Sequence, residues 1–231
     1  MRAGKNLVTQ GGDWGFYITR VMGSLYPSHV LASHMNFIVA QPSLRTPLLL
    51  LQYLTGRYTA AEKAGLERSK EVVARKVGYL QIQSTRPHTP GFGVADSPVG
   101  LLAWIHEKLR DWTDAYPWTE DEVLTWVSIY LFSDAGPDAS FRIYYETAQA
   151  EPGGRGLTNP TSTNFPRWAG TPLGLSYFPK DVAVLPSSWG RTLGPVVFER
   201  RHEKGGHFAS YEEPELLVDD VRKTVRNAKI A

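Results

Sequence analysis

The order of local signals predicts an α/β fold in which a long helical segment interrupts a sheet. Three observations carry this. Near the amino end, Leu7–Gln10 is a short apolar run that ends in Gly11-Gly12-Asp13-Trp14-Gly15 and is followed by a helical pattern and a second apolar run. From about residue 59 to residue 146 the signals are helical, with repeated N-terminal caps. Past residue 170, two further strand-like runs precede an amphipathic helix. Strands that alternate with helices belong to parallel sheets.

Each element has a local cause. From Phe16 the residues Phe16, Ile18, Val21, Met22 and Leu25 predict an apolar stripe, which Pro27 stops. His29–Val39 reads as a buried strand and its exit, with Val30, Leu31, Met35, Phe37 and Ile38 apolar. Strand, glycine turn, helix and strand make a βαβ unit. Thr59 with Glu62 and Thr119 with Glu122 have the spacing of capping boxes. Ser97-Pro98 is an N-cap followed by proline at the first helical position, ahead of Leu101, Leu102, Trp104, Ile105 and Leu109. Val123, Trp126, Val127 and Tyr130 follow the second box. Residues 151–170, rich in Gly, Pro, Ser, Thr and Asn, predict a loop. Leu173–Phe178 and Pro195–Glu199 predict strands, and the chain closes with a helix from about Pro214 through Leu216, Leu217, Val221 and Val225. The predicted division is core over 1–40, helical insert over 41–165, and core again over 166–231. There is no internal repeat.

Composition narrows the functions. With 25 Lys and Arg against 23 Asp and Glu, the net charge of +2 argues against nucleic acid as a partner. The chain has no Cys, which excludes disulfides, thiolate catalysis and Cys-ligated metals. No apolar run approaches the roughly 20 residues of a membrane span, and Pro47–Leu54 is interrupted by Gln52. The first residues do not resemble a signal peptide, and the expected location is cytoplasmic. The 7 Trp, 11 Tyr and 9 Phe fit either a dense core or a pocket for apolar ligands.

The chemistry concentrates in three places. Gly11-Gly12-Asp13-Trp14-Gly15 has the small-x-nucleophile-x-small spacing of a nucleophile elbow, with a carboxylate at its centre. Glycines on either side permit a sharp strand-to-helix turn. The helix N-terminus favours an ionised carboxylate there, and its free N–H groups can receive a developing oxyanion. A glycine turn with an Asp cap has the same spelling, so this signal alone is even-handed. Asp181 follows the strand that begins at Leu173, and His207, in Gly205-Gly206-His207-Phe208, follows the last strand. The order Asp13, Asp181, His207 is nucleophile, acid, base, which is the chain order of α/β-hydrolases. Each falls at the carboxyl end of a predicted strand, where such sheets place their sites. His106 and His202 show no comparable context, His202-Glu203 with His207 lacks the spacing of a zinc protease, and Gly91-Phe92-Gly93 lacks that of a dinucleotide site.

These motifs resemble those of the epoxide hydrolase family, in its microsomal-type and soluble fungal branches. The resemblance rests on Gly11–Gly15, on Phe178-Pro179-Lys180-Asp181, and on Gly205-Gly206-His207-Phe208-Ala209 followed by Glu213-Pro214-Glu215. Gly78-Tyr79, with Ser84-Thr85-Arg86-Pro87 and Asp96–Leu101 after it, is similar to the lid segment that carries one substrate-binding Tyr. Phe141–Glu146 resembles the segment of the second lid Tyr, with Tyr144 favoured over Tyr145 by register. The resemblance covers essentially the whole chain.

It implies the carboxyl-terminal part of an α/β-hydrolase sheet with an inserted helical lid, and an enzyme that adds water to a small-molecule epoxide to give a vicinal diol. It implies Asp13 as the ester-forming nucleophile, His207 as base, Asp181 as its partner, and Tyr79, Tyr144 and Trp14 as substrate-binding residues. No cofactor, metal or nucleic acid is implied, and a homodimer is possible. Two competing readings are a haloalkane dehalogenase-like hydrolase and an inactive or degenerate fragment. In the family a His-Gly-x-Pro loop and several strands precede the nucleophile strand, and the chain carries none of that pattern. The expectation is therefore an open sheet edge and little or no turnover by these 231 residues.

Overall fold

The computed structural model describes residues 6–42, 46–149 and 168–230, so most of the loop expected over 151–170 lies outside the described residues. The chain opens with β1 (Leu7–Gly11), α1 (Trp14–Leu25) and β2 (Val30–Met35). Seven helices come next: α2 (Pro47–Thr55), α3 (Ala60–Arg75), α4 (Gly78–Thr85), α5 (His88–Asp96), α6 (Pro98–Asp111), α7 (Glu120–Leu131) and α8 (Ala139–Gln149). The chain returns to the sheet with β3 (Leu173–Tyr177), the short α9 (Ser187–Gly190), β4 (Val196–Arg201), the short α10 (Ala209–Glu212) and α11 (Pro214–Asn227).

The four strands pair in the order β1-β2-β3-β4, all parallel. Parallel strands need crossovers, so every strand ends on the same side of the sheet and delivers its exit loop there. β3 is buried at all five positions because it has layers on both faces. On one face Phe16, Met35, Leu173, Leu175, Tyr177 and Leu193 form the core. On the other lies α11, and a Cβ added at Gly174 would overlap Thr224, so the absence of a side chain sets how closely helix and sheet approach. β1 is an edge of the described sheet, with Leu7 and Val8 exposed.

One expectation needs correction. The stripe predicted for α1 is rotated: Phe16, Thr19, Arg20 and Gly23 are buried, whereas Ile18 and Leu25 are about half exposed. Helix α1 docks through its smallest residue. Thr171 Oγ1 donates to the Gly23 carbonyl at 2.9 Å, and a Cβ at Gly23 would come within 3.0 Å of that oxygen. The apolar run at Pro47–Leu54 is helix α2, with Leu48, Leu51 and Leu54 exposed.

The predicted caps form. Thr59 and Glu62, and Thr119 and Glu122, exchange both hydrogen bonds of a capping box, and Ser97 accepts from the Gly100 N–H. The insert has its own core of Val94, Leu101, Ile105, Leu109, Val123, Val127 and Phe141. Helix α3 fastens it to the sheet. Arg68 donates to the carbonyls of Lys180 at 2.8 Å, Asp181 at 3.2 Å and Asp111 at 3.0 Å. One guanidinium, with its fixed fork of donors, thus ties the loop after β3 to the end of α6.

Candidate active site

The turn between β1 and α1 is tight. Asp13 has φ 47° and ψ −123°, a conformation that costs a non-glycine residue on the order of 1–3 kcal/mol. Its cause is visible at Gly11, where a Cβ would lie 2.4 Å from the Gly15 carbonyl oxygen. A Cβ at Gly12 would press on Asn36, but one at Gly15 would meet nothing, so of the two flanking small residues only the first is demanded by space. The Asp13 carboxylate lies at the amino end of α1, where the Trp14 backbone N–H works to lower its pKa. The side chain, 48% exposed, opens into a recess beneath the insert. The protein atoms crowded around it raise its pKa, against the opposing pull of His207.

His207 is held from three directions. Its backbone N–H donates to the Trp112 carbonyl at 2.8 Å, the Gly206 N–H donates to Glu212 Oε1 at 3.1 Å, and the Gly205 N–H donates to Asp114 Oδ2 at 2.9 Å. Gly205 has φ 98°, which favours glycine, and a Cβ at Gly206 would strike the Trp112 carbonyl. The imidazole sits among the rings of Phe37, Trp112 and Phe208. Its Nδ1 is 2.7 Å from Asp181 Oδ1, which also accepts the Val182 N–H at 2.6 Å. Burial is the largest influence and works to lower the His207 pKa, but Asp181, Asp13 and Glu212 together outweigh it and the net shift is upward. The other nitrogen, Nε2, faces Asp13 Oδ2 at 4.0 Å, too far for a direct hydrogen bond.

Tyr79 of α4 and Tyr144 of α8 reach the same recess, their rings 5.8 Å apart and nearly perpendicular. The two phenols face the same space and influence one another's protonation. Burial pushes both phenols up, that of Tyr144 to about 12, with Asp13 reinforcing the shift. Both remain protonated donors at neutral pH. Trp14 stands edge-on to Tyr144, with ring centres 5.2 Å apart. Asp13, Tyr79, Tyr144 and His207 line one cavity, whereas Trp14 lies behind Tyr144, outside the lining.

The remaining walls come from residues that the sequence motifs did not single out for the site. Gln83, Ile105, Lys108 and Leu109 come from α4 and α6, Trp126 and Tyr130 from α7, and Phe208 from the His loop. Helical spacing from Tyr79 points to Gln83, one turn on. Glu212, which grips the His loop, had no such signal: the motif drew attention to Glu213 and Glu215. Among the described residues, no group of three or more His, Asp or Glu could hold a metal ion.

No protein-family model matches the chain. It is 33% identical over 232 residues to epoxide hydrolase 1 of Sus scrofa, covering 93% of this chain and 49% of that protein. The structure of the Aspergillus niger epoxide hydrolase aligns with a TM-score of 0.77 at 33% identity, covering 97% of this chain and 53% of that one. The juvenile hormone epoxide hydrolase of Bombyx mori aligns with a TM-score of 0.82 at 26% identity, covering 98% and 56%. The chain spans about half the length of the relatives it matches.

Proposed function

We propose, from the premise that the chain is allied to the epoxide hydrolases of the α/β-hydrolase fold over the half of their length it spans, that it opens epoxides through an ester on Asp13. The observation that carries this reading is one cavity lined by a carboxylate, a carboxylate-paired imidazole 4.0 Å from it, and two protonated phenols.

The chemistry follows from those groups. An Asp13 oxygen attacks an epoxide carbon, the carbon–oxygen bond breaks, and the ring oxygen takes the Tyr144 or Tyr79 proton. The upward shift of both phenols keeps them protonated at rest and drives return of the proton after it is given up. The 4.0 Å gap leaves His207 Nε2 beside the ester rather than bonded to it. His207, oriented through Nδ1 by Asp181, then takes a proton from water, and the hydroxide attacks the ester carbonyl. The diol oxygen leaves with the proton from His207. The second water proton, left on the Asp13 carboxyl, returns to the tyrosinate. Ester formation neutralises Asp13, so one of the charges that raise the His207 pKa is lost when the base is needed.

All these groups are present and face one another, which favours this reading over that of a degenerate copy. The test is turnover of styrene oxide in ¹⁸O water, which needs no fast rate. Diol from a single turnover is expected to carry unlabelled oxygen, and the Asp13 peptide to gain the label. Label in the first-turnover diol would mean direct attack by water and overturn the ester mechanism.

A further inference from the structure

The cavity has a second polar end that the chemistry at Asp13 does not use. Lys108 lies on α6 and its side chain is only 11% exposed. Its ammonium is 4.4 Å from the centre of the Trp104 ring and 5.1 Å from that of Tyr79. Lysine is rarely so enclosed, because its ammonium is strongly hydrated and desolvation is costly unless a partner compensates. Two aromatic faces compensate in part. The other partner is Glu107. Glu107 is the preceding residue on the same helix, and its side chain is 61% exposed. Neighbours in sequence do not share a helix face, and a pair with one partner in water contributes little. That contact is readily exchanged.

Away from Asp13, His207 and the two tyrosines the cavity lining is largely apolar, with Trp104, Ile105, Leu109, Trp126 and Phe208, and its other polar groups, Gln83, Tyr130 and Ser140, are uncharged. A cation in such a wall is a directional feature. We infer that Lys108 is a specificity-determining residue that receives a carboxylate on the substrate, so the preferred substrates are epoxides carrying an acid group a short spacer from the ring. This rests on the epoxide reading above and adds the substrate class. The spacer is short because Lys108 stands over the same Tyr79 ring whose hydroxyl serves the ring oxygen. The electrostatics of the cavity are sided. An anion near Asp13 is repelled, and an anion at Lys108 gains a charge-assisted hydrogen bond.

The experiment uses binding rather than turnover, so that its failure is distinct from failure of the ester mechanism. Phenylacetate and the neutral phenylacetamide are titrated into the chain at pH 7.5, with quenching of the tryptophans that line the cavity as readout. The wild type is expected to bind the acid about tenfold more tightly than the amide, the equivalent of one such bond. In Lys108→Met the preference is expected to reverse, because only the Asp13 repulsion remains, and in Lys108→Arg it is expected to persist. Thermal unfolding of each variant checks that it is folded. Equal binding of acid and amide by the wild type, binding of neither, or an acid preference that survives in Lys108→Met would each overturn the assignment. Loss of the ¹⁸O signature with the acid preference intact would instead remove the ester mechanism and leave Lys108 as an anion anchor.

Discussion

Among the described residues, two carboxylate–histidine pairs are almost wholly buried, and of these only one opens to a cavity. Asp181 meets His207 at 2.7 Å, and Asp220 of α11 meets His202 at 2.6 Å. Both histidine side chains are almost wholly buried, 6% and 3% exposed. The second pair even has a serine: Ser176 donates to Asp220 at 2.6 Å and is 2.9 Å from His34. By residue type it is a better Ser-His-Asp constellation than the first. It differs in what lies beyond the pair. Ser176 has committed its proton to Asp220, and Ser176, His34 and Asp220 are all fully buried between sheet and helix. His202 lies flat on Phe178, with ring centres 4.5 Å apart. Asp220 also accepts from Arg200. No member of this network lines the cavity, and His34 Nδ1 is left buried without a hydrogen-bond partner. His207 has its free nitrogen facing Asp13 across the cavity. Access and direction, rather than composition, separate a reactive triad from a structural one.

The sharpest way to break this comparison is to treat both aspartates alike. Asp181→Asn is expected to lower kcat by roughly 10²–10⁴, through loss of the group that orients the base. Asp220→Asn is expected to leave kcat per folded molecule within about twofold, because no atom of that network reaches the cavity. Equal losses would mean that the sealed network takes part in catalysis.

The converse holds for stability. Asp220→Ala leaves His202, Ser176 and Arg200 facing a buried gap, and removal of one partner of a buried ionic network costs about 3–5 kcal/mol. Chemical denaturation measures this, and a loss under about 1 kcal/mol would show the network to be dispensable. Tyr144→Phe removes a donor to the ring oxygen and is expected to slow ester formation by roughly 10²–10³ without loss of stability. Rapid-mixing measurement of the alkylation step separates this from an effect on hydrolysis.

The smallest effect is in pH. Burial lowers the His34 pKa from 6.5 to about 4, with the Asp220 charge opposing. A histidine depressed in the folded state contributes stability that is present above its unfolded pKa and lost as pH falls through the folded value. His207, raised in the folded state, contributes in the opposite sense: its share is present below 6.5 and lost as pH rises through its folded pKa. Stability is therefore expected to decline from about pH 6.5 towards 4 through His34, and His34→Gln to flatten that decline. A slope unchanged in the variant would assign it to other groups. An NMR titration is expected to place His207 above 6.5 and to bring it down in Asp181→Asn.

The comparison also shows what a sequence can hold. Asp13, Asp181 and His207 were legible because each ends a strand, and a parallel sheet gathers strand ends on one side. Tyr79 and Tyr144 needed the register of a resemblance, since nothing local distinguishes them among 11 tyrosines. Lys108, Trp126 and Tyr130 were beyond reach, because they converge only when helices from distant parts of the insert pack together. Helix α1 misled for a related reason. Its apolar residues suggested the buried face, yet Gly23 and Thr171 decide how it docks. Trp14 was expected among the substrate-binding residues from the resemblance; it packs edge-on against Tyr144 and does not line the cavity.

The central claim is that ring opening and ester hydrolysis use different groups, with His207 needed only for the second. Mass spectrometry of His207→Gln after incubation with styrene oxide tests it most directly, because a stalled ester accumulates even where turnover is slow. The account predicts an adduct of one substrate mass on the peptide that carries Asp13, absent in the Asp13→Ala, His207→Gln double variant. A folded His207→Gln protein that forms no adduct on Asp13 would contradict it.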